Sequence, residues 1–257
     1  MDFGCSDASI WKEALSAYPS RIESLSLTKN KPNLLSLDQF YTKHLPSLLQ
    51  QRNPNPFLTT TELSDLMRWK LTRGKWRPRL LEFVEALDDV VVRNVSEKAF
   101  RSLPDLKKAV SEICVLKGVG PATASAVLAA YAPQVAPFMS DEAMEAALGN
   151  SKDYTLKQYL IFADKCRTKQ SSSFGFNFGI KLRSRVIMLG DSAPFLFSLN
   201  IWWKINLQEL SSEGDTFTPS DVERALWSYA IGKSSTPQLI EDQKTNPKRN
   251  SKRKRKN

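Results

Sequence analysis

Residues 116–133 read "LKGVGPATASAVLAAYAP". Two glycines one residue apart, a proline directly after them and a run of small side chains leave this stretch few ways to fold. Paired glycines let a backbone turn where a Cβ would clash, and a proline is accommodated best in the first turn of a helix. The pattern predicts a helix over 104–115, a tight turn at Gly118–Gly120 and a second helix from Pro121 to residue 131. Both glycines and a small-residue face exceed what a plain helix–helix connection needs. The backbone N–H groups of Gly118, Val119 and Gly120 and the free first-turn N–H groups at Ala122 and Thr123 would point one way. The helix dipole adds partial positive charge there, and Lys117 a full one, so the hairpin at 116–123 favours an anion such as a phosphate. Small side chains at Ala122, Ala124 and Ser125 would let a phosphate backbone come close.

Helical periods recur along most of the chain. "TTTELSDLMRWKL" spaces Leu63, Leu66, Met67 and Leu71 on one face, and "RLLEFVEALDDVVV" does so with Leu80, Leu81, Val84 and Leu87. Ser96 is placed to cap a short helix through Phe100. Pro104 is placed to open a helix carrying Leu106, Ala109, Val110 and Ile113, and Ser140 or Asp141 to cap "EAMEAALG". "DYTLKQYLIFADK" is helix-forming. In "TFTPSDVERALWSYAIG", Thr218 and Asp221 form a capping box around Pro219, and Gly232 is expected to stop the helix. Strand-like alternation is scarce, so the expected class is all-α, a helical bundle. Residues 171–205 are aromatic-rich without helical period. They read either as an inserted loop or hairpin, or as sequence retained from an intron. The expected organisation is an N-terminal helical segment over 1–55, a helical domain over 56–232 with an irregular insertion near 171–205, and a disordered basic tail over 233–257.

The 257 residues carry a net charge of +10, unevenly spread. "KRNSKRKRKN", from Lys248 onward, holds seven cations and no anion, leaving 30 basic against 27 acidic residues elsewhere. Such a run reads as an arm for nuclear import or nucleic acid. Cys5, Cys114 and Cys166 lie far apart, which spells neither a disulfide framework nor a zinc site, and a single His44 completes no metal site. No apolar run reaches the length of a membrane span, and "MDFGCSDASIWKEAL" lacks the features of a secretory signal.

A second basic stretch, "MRWKLTRGKWRPRL", interleaves Arg68, Lys70, Arg73, Lys75, Arg77 and Arg79 with Trp69 and Trp76. Arginines grip phosphates, and an indole stacks on an unpaired base or an abasic gap. Arg73, Lys75, Trp76 and Arg77 are the expected nucleic-acid contacts, unless one tryptophan anchors the core and the cations form a solvated face.

At the hairpin the chain resembles the helix-hairpin-helix DNA glycosylase superfamily, which includes endonuclease III, adenine glycosylase and 8-oxoguanine glycosylase. Members carry a similar L-x-G-[VI]-G-x-x-[TV]-A hairpin and a catalytic aspartate about twenty residues on. Here "VAPFMSDEAMEAA" puts Asp141 there, 21 residues beyond Gly120. The resemblance covers roughly 100–150. "LMRWKLTRGKWRPRL" and "DTFTPSDVERALW" also resemble a divergent eukaryotic family from which no activity carries over. The resemblance implies a catalytic role for Asp141, with a monovalent cation at the hairpin as the one bound ion it suggests. Members with lyase activity place a lysine where this chain has Ala122, so the resemblance implies excision without strand cleavage. Iron–sulfur members need four cysteines after the aspartate, and here only Cys166 follows, so no cluster is expected.

The expected function is a monomeric nuclear DNA-binding protein that acts on duplex, damaged DNA as a monofunctional glycosylase. A binder without catalysis and a protein-interaction scaffold are the alternatives. Asp141 is either the excision carboxylate or merely a helix cap. About five to seven cations on phosphates would give a salt slope near −0.9 per contact.

Overall fold

The computed structural model describes residues 2–149, 153–174 and 217–235, and among them it is all-helical, with no strand. The first helices are α1 (Ala8–Ser16), α2 (Tyr18–Thr28) and α3 (Leu34–Gln39). A wider π turn, Phe40–His44, leads from α3 into α4 (Leu45–Gln51). Next come α5 (Thr60–Arg73), α6 (Pro78–Glu85), α7 (Asp89–Ser102) and α8 (Leu106–Ile113). The chain continues with α9 (Pro121–Tyr131), α10 (Asp141–Leu148), α11 (Leu156–Phe174) and α12 (Pro219–Ser235).

The small-residue helix α9 is the centre of the molecule. It packs against α4, α5, α8 and α11, and every residue from Thr123 to Tyr131 is buried. A helix apolar all round belongs in a core, and short side chains let four neighbours close on it. What approaches Ala124 and Ser125 is therefore protein and not phosphate. Ser125 donates to the Ala122 carbonyl (2.9 Å) and accepts from the Met139 N–H (3.0 Å). Trp11, Tyr41, Leu45 and Leu49, from the first 55 residues, join the same core as α5 and α9.

The caps explain several boundaries and correct others. Thr59 and Glu62 make a reciprocal capping box at the start of α5. Thr218 and Asp221 do the same for α12, as expected, with Thr218 N–H donating to Asp221 (2.8 Å) and Asp221 N–H to Thr218 (3.1 Å). Asp88 accepts from Val90 and Val91 and starts α7, so the period read across 79–92 is broken into two helices. Ser96 does not cap: it sits inside α7, its hydroxyl donating to the Val92 carbonyl and accepting from Leu58 N–H (both 2.8 Å). Pro104 does not open α8, because Asp105 takes the cap by accepting from Lys108 N–H at 3.0 Å. Gly149 ends α10 with a positive φ of 77°. Gly232 does not end α12, which runs to Ser235. A Cβ at Gly232 would meet the Arg21 guanidinium at 2.9 Å, so the glycine makes room for that side chain.

Residues 171–174 continue α11, and the rest of the expected insertion lies outside the described residues. The expected tail does too, apart from 233–235, which belong to α12. Cys5, Cys114 and Cys166 are unbonded. Among the described residues no helix is long and apolar enough to cross a membrane, and no three His, Cys, Asp or Glu side chains gather as a metal site.

Candidate functional site

An open cleft of about 260 Å³ lies where several segments meet. The end of α5 and its loop contribute Lys70, Arg73, Gly74, Lys75 and Arg77; the hairpin contributes Gly118, Gly120, Pro121, Ala122 and Thr123. The start of α10 adds Ser140, Asp141 and Glu142, and Tyr154 and Trp227 complete the wall. The hairpin, the basic stretch and the aspartate thus share one surface.

The two hairpin glycines do different work. Gly118 has φ +85°, and a Cβ there would meet Phe83 Cβ at 2.8 Å and the Leu80 carbonyl at 3.3 Å. Only glycine supplies that conformation and lets α6 pack against the turn. Gly120 has an ordinary extended backbone at the N-cap of α9, and a Cβ there meets nothing within 4 Å. What its missing side chain leaves open is the cleft.

Among the described residues the N–H groups of Gly118, Gly120 and Ala122 have no acceptor. Two other expected donors are spent. Val119 is buried and its N–H bonds the Leu116 carbonyl (3.1 Å), while Thr123 is buried and its N–H bonds the Gly120 carbonyl (2.9 Å). Three free donors at the positive end of a helix suit an anion. Gly120→Asp separates site from fold. Aspartate is a favourable N-cap, so stability should hold or rise by up to about 1 kcal/mol. Its carboxylate would occupy the donors and repel a phosphate, so duplex affinity should fall by more than about tenfold. Equal affinity in the two proteins would remove the hairpin from the interface. Gly118→Ala should instead lower the unfolding midpoint, by about 1–3 kcal/mol of strain.

The cations divide. Arg68 is held by Asp65 (2.7 Å) and Glu85. Arg73, expected on phosphate, is buried beneath the cleft with a side chain only 4% exposed, paired with Glu223 at 3.1 Å. Its guanidinium lies over the rings of Trp227 (4.2 Å), Trp69 (5.2 Å) and Phe138 (5.3 Å). Lys75 and Arg77 are exposed, without an ion-pair partner among the described residues. Lys31 donates to the Thr72 carbonyl at 2.5 Å and tethers the start of their loop. Lys117 is exposed, its ammonium 4.6 Å from the Phe83 ring centroid. The tryptophans divide too. Trp69 is fully buried, stacked on Tyr41 at 3.5 Å and donating to Asp38 (2.9 Å), whereas Trp76 is 54% exposed between Lys75 and Arg77.

Asp141 is exposed at the first position of α10 and is not the cap; that position belongs to Ser140. Its carboxylate accepts from the Tyr154 hydroxyl at 2.8 Å. Ser140 leaves the helix uncapped by its side chain because its hydroxyl donates to Glu223 at 2.5 Å. The buried Arg73–Glu223 pair therefore fixes the residue before Asp141. Burial raises the Glu142 carboxyl above its ordinary range, and burial with Arg77 nearby lowers the Lys70 amine to about 8.

Sequence reasoning missed Tyr154, Glu142, Glu223 and the place of Lys70 at the cleft. Only Lys70 carried a signal, as one of the cations around Trp69 and Trp76. The chain matches no protein-family model, no curated protein and no solved structure.

Proposed function

We propose that the protein binds duplex DNA across this cleft. The observation that supports the reading is the placement of free N–H groups at Gly118, Gly120 and Ala122 on the same surface as Lys75 and Arg77, neither of which has an ion-pair partner among the described residues. Such groups hold the phosphate backbone of any sequence alike. Trp76 stands exposed beside them, ready to stack where a base is missing or displaced. The basic run from Lys248 adds affinity and directs the monomeric protein to the nucleus through the import machinery.

Salt dependence tests this. Of the basic stretch, Arg68 and Arg73 are committed to carboxylates. Each cation that does meet phosphate contributes about −0.9 to the slope of log affinity against log salt, so Lys75→Ala with Arg77→Ala should flatten it by about 1.8. A slope unchanged by the double variant, or no salt dependence in the parent, would remove the cleft as a DNA surface.

A second step is favoured by Asp141, whose carboxylate stands in the cleft with a tyrosine hydroxyl as its hydrogen-bond partner. There it stabilises the cationic sugar that forms as a displaced base leaves, and orients the attacking water. This is base excision by hydrolysis, which needs no cofactor.

A further inference from the structure

The loop that brings Lys75, Trp76 and Arg77 to the cleft has little of its own to hold it. At one end the Gly74 N–H bonds the Lys70 carbonyl (3.1 Å), and at the other the Arg77 carbonyl accepts from the Leu80 N–H (3.1 Å). Between them, among the described residues, Lys75 and Trp76 take part in no hydrogen bond. Support comes from a distant turn. The Lys31 ammonium donates to the Thr72 carbonyl at 2.5 Å and reaches the Gly74 carbonyl at 3.4 Å. These carbonyls lie at the C-terminal end of α5, where the helix leaves them unpaired and its dipole favours a cation.

The position of Lys31 is itself fixed. α2 ends in a Schellman turn, in which Asn30 takes a left-handed φ of 47° that asparagine tolerates. The Asn30 N–H bonds the Leu27 carbonyl (3.3 Å), and the Lys31 N–H bonds the Ser26 carbonyl (2.8 Å). The Lys31 carbonyl accepts from the buried Ser26 hydroxyl (2.9 Å) and from the Leu34 N–H (3.0 Å). Because α3 packs on both α2 and α5, this turn lies against the end of α5. The Lys31 backbone is thus set before its side chain reaches the loop.

We infer that Lys31 is a positioning residue for nucleic-acid binding: it holds residues 74–77 in the arrangement in which Lys75, Trp76 and Arg77 meet a phosphate backbone together. The inference rests on the proposed binding of duplex DNA and deepens it. Lys31 is not itself a phosphate cation, because its side chain is half-buried and its ammonium is engaged by carbonyls. What it supplies is order before binding. A free loop gives up the motion of its backbone and of two long cationic side chains when it meets the ligand, and a loop already ordered does not.

The test is Lys31→Met in the full chain, which keeps an unbranched stem and removes the ammonium. Duplex affinity should fall by about tenfold. The slope of log affinity against log salt should stay that of the parent, since no phosphate contact is deleted. Hydrogen exchange should quicken by about tenfold at the Gly74 and Leu80 amides, which close the loop, and stay unchanged in α9. A slope flatter by about 0.9 would make Lys31 a phosphate contact. Equal affinity would mean that the loop is ordered without it, and faster exchange in α9 as well would spread the loss over the whole fold. Each of these outcomes overturns the inference. Should the parent bind no duplex, the binding reading falls, and exchange alone decides for Lys31. Faster exchange confined to the loop amides keeps it as the residue that holds the loop, and unchanged exchange removes it.

Discussion

Arg73→Ala is expected to destabilise the protein by about 3–5 kcal/mol, the range for stripping one partner from a buried ion pair. The side chains of Arg73 and Glu223 are 4% and 3% exposed, so neither charge is rescued by water. Removing the guanidinium would leave the Glu223 carboxylate with one donor, the Ser140 hydroxyl. It would also empty the space among Trp69, Phe138 and Trp227, losing the cation–ring attraction on top of the ion pair. Chains of this size lose about 2–4 °C of Tm per kcal/mol, so the midpoint should fall by roughly 10 °C. Arg73→Met with Glu223→Gln removes both charges, fills much of the volume and lets the amide oxygen still accept from Ser140. Most of the lost stability should return in that double variant. A single variant that costs under about 1 kcal/mol, or a double variant that costs the sum of both singles, would show that the pair does not act as a unit. The comparison reads on the site as well, because Glu223 holds Ser140 and Ser140 leads into Asp141.

That pair also shows where the sequence stopped being legible. Short-range grammar carried well: the turn at Gly118, the start of α9 at Pro121, and the Thr218–Asp221 box each need only residues within one or two turns. The same local reading failed wherever a distant residue decided the matter. Gly232 reads as a helix stop until Arg21 lies across it. Ser96 reads as a cap until Leu58 arrives to be bonded. Arg73 is one of six interleaved cations, and nothing within the stretch singles out the one that turns inward to meet a carboxylate 150 residues away. Small residues in α9 invite the idea of a ligand's approach, yet helix packing makes the same demand, and only the first turn, Pro121, Ala122 and Thr123, reaches the cleft beside Gly118 and Gly120. The two stretches around Trp69 and Trp227 look independent along the chain because their relation is a buried contact without a period or spacing.

Asp141→Asn should cut base release by about 10²–10⁴-fold while leaving the protein on its duplex. The carboxylate stands at the first turn of α10, where the helix dipole favours its charge, and it takes the Tyr154 hydroxyl at 2.8 Å. Asparagine has the same shape and can accept that hydroxyl through its carbonyl, so placement survives and only the negative charge is lost. That charge is what a cationic sugar and an attacking water require. General-base catalysis of this kind contributes about 10²–10⁴-fold, and release should drop by that factor. Affinity should hold or rise slightly, since one repulsion toward phosphate disappears. The assay follows duplexes bearing uracil, alkylated, oxidised or mismatched bases, with hot alkali revealing abasic product. Release that persists in Asp141→Asn would move the chemistry to another group, and no release from a parent that binds every duplex would reduce Asp141 to a charge at the start of a helix.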